Sequence, residues 1–155
     1  PYTTLFRSGV KGVPRLFSRP TLDSLVIEYV QGQSVRWMES LPWPAVEQVR
    51  QLLHEMHRRG VAHGDLGHDS NGDLGRDTNL IWGDDGQVYI IDFASAVYRG
   101  VWSFGLYETF RRHDQLVVTK LLRRFHPEQR GADEYDLLNE FPRWSYWFLR
   151  RLKKM

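Results

Sequence analysis

The 155-residue chain has no cysteine. That excludes disulfides, thiolate metal sites and a cysteine nucleophile, and a reducing cytoplasm is the compartment that fits. Long apolar runs are missing as well, and none approaches the roughly 18 residues needed to span a bilayer. Excess charge of one sign is small, at a formal +2, so a nucleic-acid partner is not expected. No solenoid period is present. What remains is ordinary for a globular protein, with 41% hydrophobic and 26% charged residues. Six Trp, seven Tyr and eight Phe supply bulk for one core.

Residues 1–8, PYTTLFRS, look like the translation of a sequencing-adapter oligonucleotide and are set aside as a scar. The native reading is then expected to begin near Gly9, with the gene cut upstream. Ser24 to Val30 (SLVIEYV) is an apolar β-rich run, broken by Gln31-Gly32-Gln33. Trp43 to Arg59 is the clearest helix. Pro42 and Pro44 sit at its start, and Val46, Val49, Leu52, Leu53 and Met56 form one stripe at helical spacing before Gly60. Leu80-Ile81-Trp82 and Gln87 to Phe93 are strands around a Gly83-Asp84-Asp85-Gly86 turn. Glu108 to Phe125, Asp133 to Phe141 and Trp144 to Lys154 read as helices. The fold class is α+β with a helical C-terminal lobe.

The chemistry concentrates between Val61 and Ala94. A loop bearing Asp is followed by Asn and then by a hairpin that ends in a second Asp. Phosphoryl transfer is mostly positioning and charge neutralisation. It needs a carboxylate to orient a hydroxyl and hard oxygens to hold Mg²⁺ at the phosphates. Residues 63–70 (HGDLGHDS) and 71–78 (NGDLGRDT) are near copies, so two catalytic candidates arise, Asp65 and Asp73. A Ca²⁺ loop starting at Asp69 fails, because Leu74 and Leu80 occupy the Gly and Glu positions it requires.

His63-Gly64-Asp65-Leu66, Asn79-Leu80-Ile81 and Ile91-Asp92-Phe93-Ala94 resemble the catalytic loop, metal-binding Asn and Asp-Phe-Gly element of the protein-kinase-like superfamily, with Ala94 in place of the final Gly. The nearest flavour is that of the RIO-type and lipopolysaccharide-core (Kdo) sugar kinases. The resemblance spans roughly residues 13–125. It implies ATP and Mg²⁺ (or Mn²⁺) as cofactors, with Asn79 and Asp92 as metal ligands. Ile27-Glu28-Tyr29-Val30 falls where the interlobe hinge belongs. By resemblance, the backbones of Glu28 and Val30 would bond adenine and Ile27 would line the pocket behind it. Asp114 is expected to brace the catalytic loop. Asp65 is preferred over Asp73 because His63 precedes it and the helix leads into it. Asp73 is nearer in sequence to Asn79, and the alternative stays open.

Residues 9–30 then read as a remnant of the N-lobe and hinge, and 31–155 as the C-lobe. The family's Gly-rich loop and its Lys–Glu pair are not found, so this fragment is expected to be inactive by itself. The expected function of the parent is ATP-dependent phosphorylation of a hydroxyl on a sugar, lipopolysaccharide core or protein. A nucleotide-binding pseudokinase scaffold and an aminoglycoside- or choline-type phosphotransferase are the alternatives. The tail 144–154 interleaves aromatics with Arg and Lys. It suits either a closing helix or a peripheral contact with an anionic membrane.

Overall fold

A computed structural model describes residues 9–21, 24–67, 78–100 and 103–129. The expected adapter scar, Asp73 and the helices at 133–141 and 144–154 all lie outside the described residues. No described helix is long and apolar enough to cross a membrane.

The chain opens with an antiparallel pair, β1 (Leu16–Thr21) and β2 (Ser24–Ile27). β3 (Gly32–Ser34) follows, then α1 (Trp43–Arg58) and the short β4 (Val61–Ala62). β5 (Leu80–Gly83) and β6 (Val88–Ile90) form the expected hairpin, and β7 (Val97–Tyr98) returns beside β4. α2 (Phe104–Phe125) starts four residues earlier than its apolar pattern suggests. Ser103 extends it: its Oγ donates to Tyr98 O at 2.6 Å and accepts from Gly100 N–H at 3.0 Å, closing the turn ahead of the first helical residue.

α1 buries the expected stripe of Val46, Val49, Leu52, Leu53 and Met56, and Ala45 with it. Gly60 ends it at φ +76, a left-handed value that a side chain would resist. The core lies between α1, α2 and the β5–β6 hairpin. Leu80, Val88, Ile90, Val117, Val118, Leu121 and Leu122 meet the α1 stripe there. Gln48 ties helix to hairpin: its Oε1 accepts from Val88 N–H at 2.8 Å and from the Gln87 side chain, and its Nε2 donates to Gly86 O at 3.1 Å.

Two expectations need correcting. Gln31-Gly32-Gln33 does not simply end a strand. Gly32 to Ser34 pair with β5, Gly32 opposite Gly83 and Ser34 opposite Ile81. A Cβ on Gly32 would collide with the Trp82 carbonyl, so only glycine permits this approach. The SLVIEYV strand is also shorter than its apolar run, which extends to Val30. Its strand stops at Ile27, and Leu25, Val26 and Ile27 are each over 40% exposed. Apolar content marked a strand correctly but could not say what would cover it.

The end of α1 carries its own charge cluster. Glu55 accepts from Arg58 at 2.8 and 2.9 Å and from Arg59 at 2.6 Å. Bonding to Arg58, then Arg59, lowers its carboxyl from 4.5 to about 2. A depressed carboxylate stabilises the fold above its unfolded value, and that contribution fades as pH falls from 4.5 towards 2. Glu55→Gln should therefore flatten the urea midpoint against pH over that window, by a small margin that shrinks in salt, as the cluster is solvent-facing.

Candidate active site

The loop after β4 is held by one buried carboxylate. Asp114 on α2 is fully buried. Its Oδ1 accepts the Gly64 N–H at 2.7 Å, and its Oδ2 accepts the His63 N–H at 2.7 Å and His57 Nε2 at 3.0 Å. The expected brace is thus present, and α1 joins it through His57. Gly64 sits at φ +74, and a Cβ there would run into the Phe110 ring, so this turn admits only glycine.

His63 is a strut rather than an acid or base. It is buried, its Nδ1 accepts the Asp65 N–H at 3.3 Å, and its Nε2 bonds Ile91 O at 2.9 Å. A neutral ring with the proton on Nε2 satisfies both contacts. The ring also packs on Phe93 at 4.9 Å between centroids. Ser95 Oγ donates to His63 O at 3.1 Å, so both sides of the Asp92 turn grip the same loop.

Asn79 and Asp92 occupy one end of the hairpin. Ile91 N–H donates to Asn79 O at 3.0 Å, a rung beyond the β5–β6 ladder, and Asp92 is the next residue. Asn79 Nδ2 donates to Asp65 O at 2.8 Å. Committing the amide nitrogen to that carbonyl leaves Oδ1 as the free-facing ligand atom. Asp92 is the one described non-glycine residue at positive φ, +56. Its side chain accepts from Ala94 N–H at 3.3 Å, and the residue is exposed. One amide oxygen and one exposed carboxylate are the hard donors that Mg²⁺ prefers, with water and phosphate completing the shell. Among the described residues no group of three or more His, Asp or Glu could hold a metal alone.

The repeated loop is stitched where it leaves and rejoins the fold. Thr78 Oγ1 donates to Leu66 O at 3.0 Å, and the buried Lys120 ammonium donates to Gly67 O at 2.7 Å. Asp65, Asn79 and Asp92 are brought together, whereas Asp73 lies outside the described residues. Sequence reading missed Lys120, although a lysine among Leu116, Val117, Leu121 and Leu122 on an apolar face is itself a signal of a buried polar partner.

The hinge candidates divide. Glu28 and Val30 line a cavity of about 380 Å³ with Tyr29, Gln31, Asp84, Asp85 and Tyr89, and Ile27 does not reach it. The Glu28 N–H is committed to Arg15 O at 2.8 Å. Asp85 accepts from the Tyr89 hydroxyl at 2.8 Å, which pushes that phenol up to about 12. Three carboxylates in this cavity disfavour phosphate. Asn79 lies at the other end of β5, about 13 Å away at 3.3 Å per residue.

Asp114→Asn sets its N–H₂ either against the Gly64 N–H or against the His63 N–H and His57 Nε2. The expected cost is about 3 kcal/mol in urea unfolding, with the His63 and Gly64 amides losing hydrogen-exchange protection. Lys120→Met should likewise cost about 2 kcal/mol by stranding the Gly67 carbonyl.

No protein-family profile matches the chain, and no curated protein matches it by sequence. Solved structures do match. The Rio2 kinase from Chaetomium thermophilum aligns with 88% of this chain at TM-score 0.58 and 20% identity. The same organism's Rio2 kinase in an ADP/Mg²⁺-phosphoaspartate complex aligns with 88% at TM-score 0.57 and 21% identity. The chain spans about two fifths of those proteins, 42% and 41%. The loop held by Asp114, the hairpin with Asn79 and Asp92 at its end, and this shared backbone together show that the chain has the protein-kinase-like fold.

Proposed function

We propose that the intact protein is an ATP- and Mg²⁺-dependent phosphotransferase to a hydroxyl group. Asp65 would orient the acceptor hydroxyl and take its proton as the oxygen attacks the terminal phosphorus and ADP leaves. Asn79 Oδ1 and the Asp92 carboxylate would hold the metal, which supplies neutralisation of phosphate charge when bound. One observation carries the reading. The Asn79 side-chain N–H₂ donates to the Asp65 backbone carbonyl at 2.8 Å, while the Asn79 backbone carbonyl accepts from the Ile91 N–H, one residue before Asp92. The Rio2 complex with ADP/Mg²⁺ supports nucleotide and metal as partners.

The stretch between the Phe93–Ser95 turn and α2 is short, and no long segment for docking peptides fits there. That favours a sugar or lipid hydroxyl such as a lipopolysaccharide core, or a restricted protein Ser/Thr. An aminoglycoside- or choline-type acceptor is compatible with the same order of residues. Cytoplasmic residence, with tail contact at the inner membrane face, belongs to this proposal and rests on the sequence. The second reading, a nucleotide-binding pseudokinase scaffold, draws on Ala94 at the third position of the metal turn.

The test is phosphate transfer from ATP by the intact protein. Asp65→Asn should lower the rate by about 100-fold or more. Asp92→Ala should abolish Mg²⁺-dependent transfer, and activity at the parental level would overturn the metal assignment. A variant lacking residues 68–75 keeps Gly67, Thr78 and Asn79 and removes Asp73. It should retain activity, and loss of activity with an intact fold would return the catalytic role to Asp73.

A further inference from the structure

The loop that carries Asp65 is held through its backbone, one group after another. The His63 and Gly64 N–H groups go to Asp114, and the Asp65 N–H goes to His63 Nδ1. Three successive carbonyls then accept from side chains. Asp65 O takes Asn79 Nδ2 at 2.8 Å, Leu66 O takes Thr78 Oγ1 at 3.0 Å, and Gly67 O takes Lys120 Nζ at 2.7 Å. Asn79 and Thr78 meet Asp65 and Leu66 in antiparallel order, and Lys120 reaches the third carbonyl from α2. We infer that Thr78 and Lys120 are positioning residues for phosphoryl transfer, which fix the peptide planes after Asp65 and so keep its carboxylate aimed at the acceptor hydroxyl. This rests on the phosphotransferase reading of Asp65.

Burial and donor chemistry carry it. Thr78 and Lys120 are both buried. Taking an ammonium out of water is costly, and a residue that served only to fill the apolar face of α2 would not carry a charge. Both donors end on main-chain carbonyls within two residues of Asp65. A carbonyl belongs to a rigid peptide plane, so holding it restrains ψ of its own residue and φ of the next. Leu66 adds a side-chain anchor in the main core. Asp65 thus stands between the Asp114 brace on one side and a three-carbonyl clamp on the other. A displacement of about 1 Å at a reacting group can cost about 100-fold in rate. The Asn79 backbone is anchored separately, its carbonyl accepting the Ile91 N–H in the hairpin. Loosening residues 66 and 67 therefore acts on the hydroxyl side of the reaction and spares the nucleotide side.

Thr78→Val keeps the volume and removes the hydroxyl, and Lys120→Met removes the ammonium. In the intact protein, with folding checked by circular dichroism, each should lower kcat at least tenfold and leave KM for ATP within about twofold. Thr78→Ser should recover most of the rate. Val46→Ala, a core change on α1 away from the loop, is the comparator for lost stability and should leave kcat where it was. If Lys120→Met fails to fold, Thr78→Val decides. Parental kcat in the folded variants would overturn the positioning role, as would an equal loss of rate in Val46→Ala. Absence of transfer by the parental protein itself would instead bring down the phosphotransferase reading, and the positioning role with it.

Discussion

A carboxylate shut away from water must be met by donors on every side or the fold around it fails, because desolvating an ion costs several kcal/mol. Asp114 meets that demand with two backbone N–H groups and one imidazole, drawn from a loop and a helix some fifty residues upstream. Charge-assisted bonds of this kind are shorter and stronger than neutral ones. The arrangement makes three elements interdependent. α2 cannot bury its acid unless the His63–Gly64 turn presents its amides, and that turn cannot keep its left-handed glycine unless Phe110 and Asp114 close over it. Tyr107 adds a further tie, its hydroxyl donating to His57 O at 2.9 Å.

From that anchor the site is set by rigid pieces. The hairpin fixes Asn79 against Ile91, and Asp92 follows in a strained left-handed conformation that the Phe93–Ser95 turn sustains. Gln48 fastens the far end of the hairpin to α1. Both ends of one short ribbon are therefore held by different helices. The side-chain oxygens of Asn79 and Asp92 inherit their position from the core.

The order Asp65, Asn79, Asp92 and the α1 stripe were legible in the sequence because each is local: a motif, a turn and a period can be read from neighbours. Asp114 was glimpsed only by analogy, since its partners lie 50 and 51 residues away and no local pattern couples them. Gln48 and Lys120 escaped for the same reason, each being a polar group whose meaning depends on a distant carbonyl or amide. The β3 pairing was hidden by composition, as Gly-Gln-Ser has little strand propensity and is recruited by the edge of β5. The SLVIEYV run misled in the opposite sense. Periodicity and hydrophobicity report that a surface wants covering, and only tertiary structure reports whether it is covered.

The fastening of residues 66 and 67 to Thr78 and Lys120 has a genetic consequence. With both shores of the loop moored, the entropy of closing it grows only logarithmically with its length, at about 0.6 kcal/mol per doubling. A slip during copying of the gene that repeats eight codons here barely registers in the folding free energy. Selection on stability is therefore nearly blind to length at this point, and tandem repeats of this segment can drift in and out of a lineage without disturbing the fold that carries them.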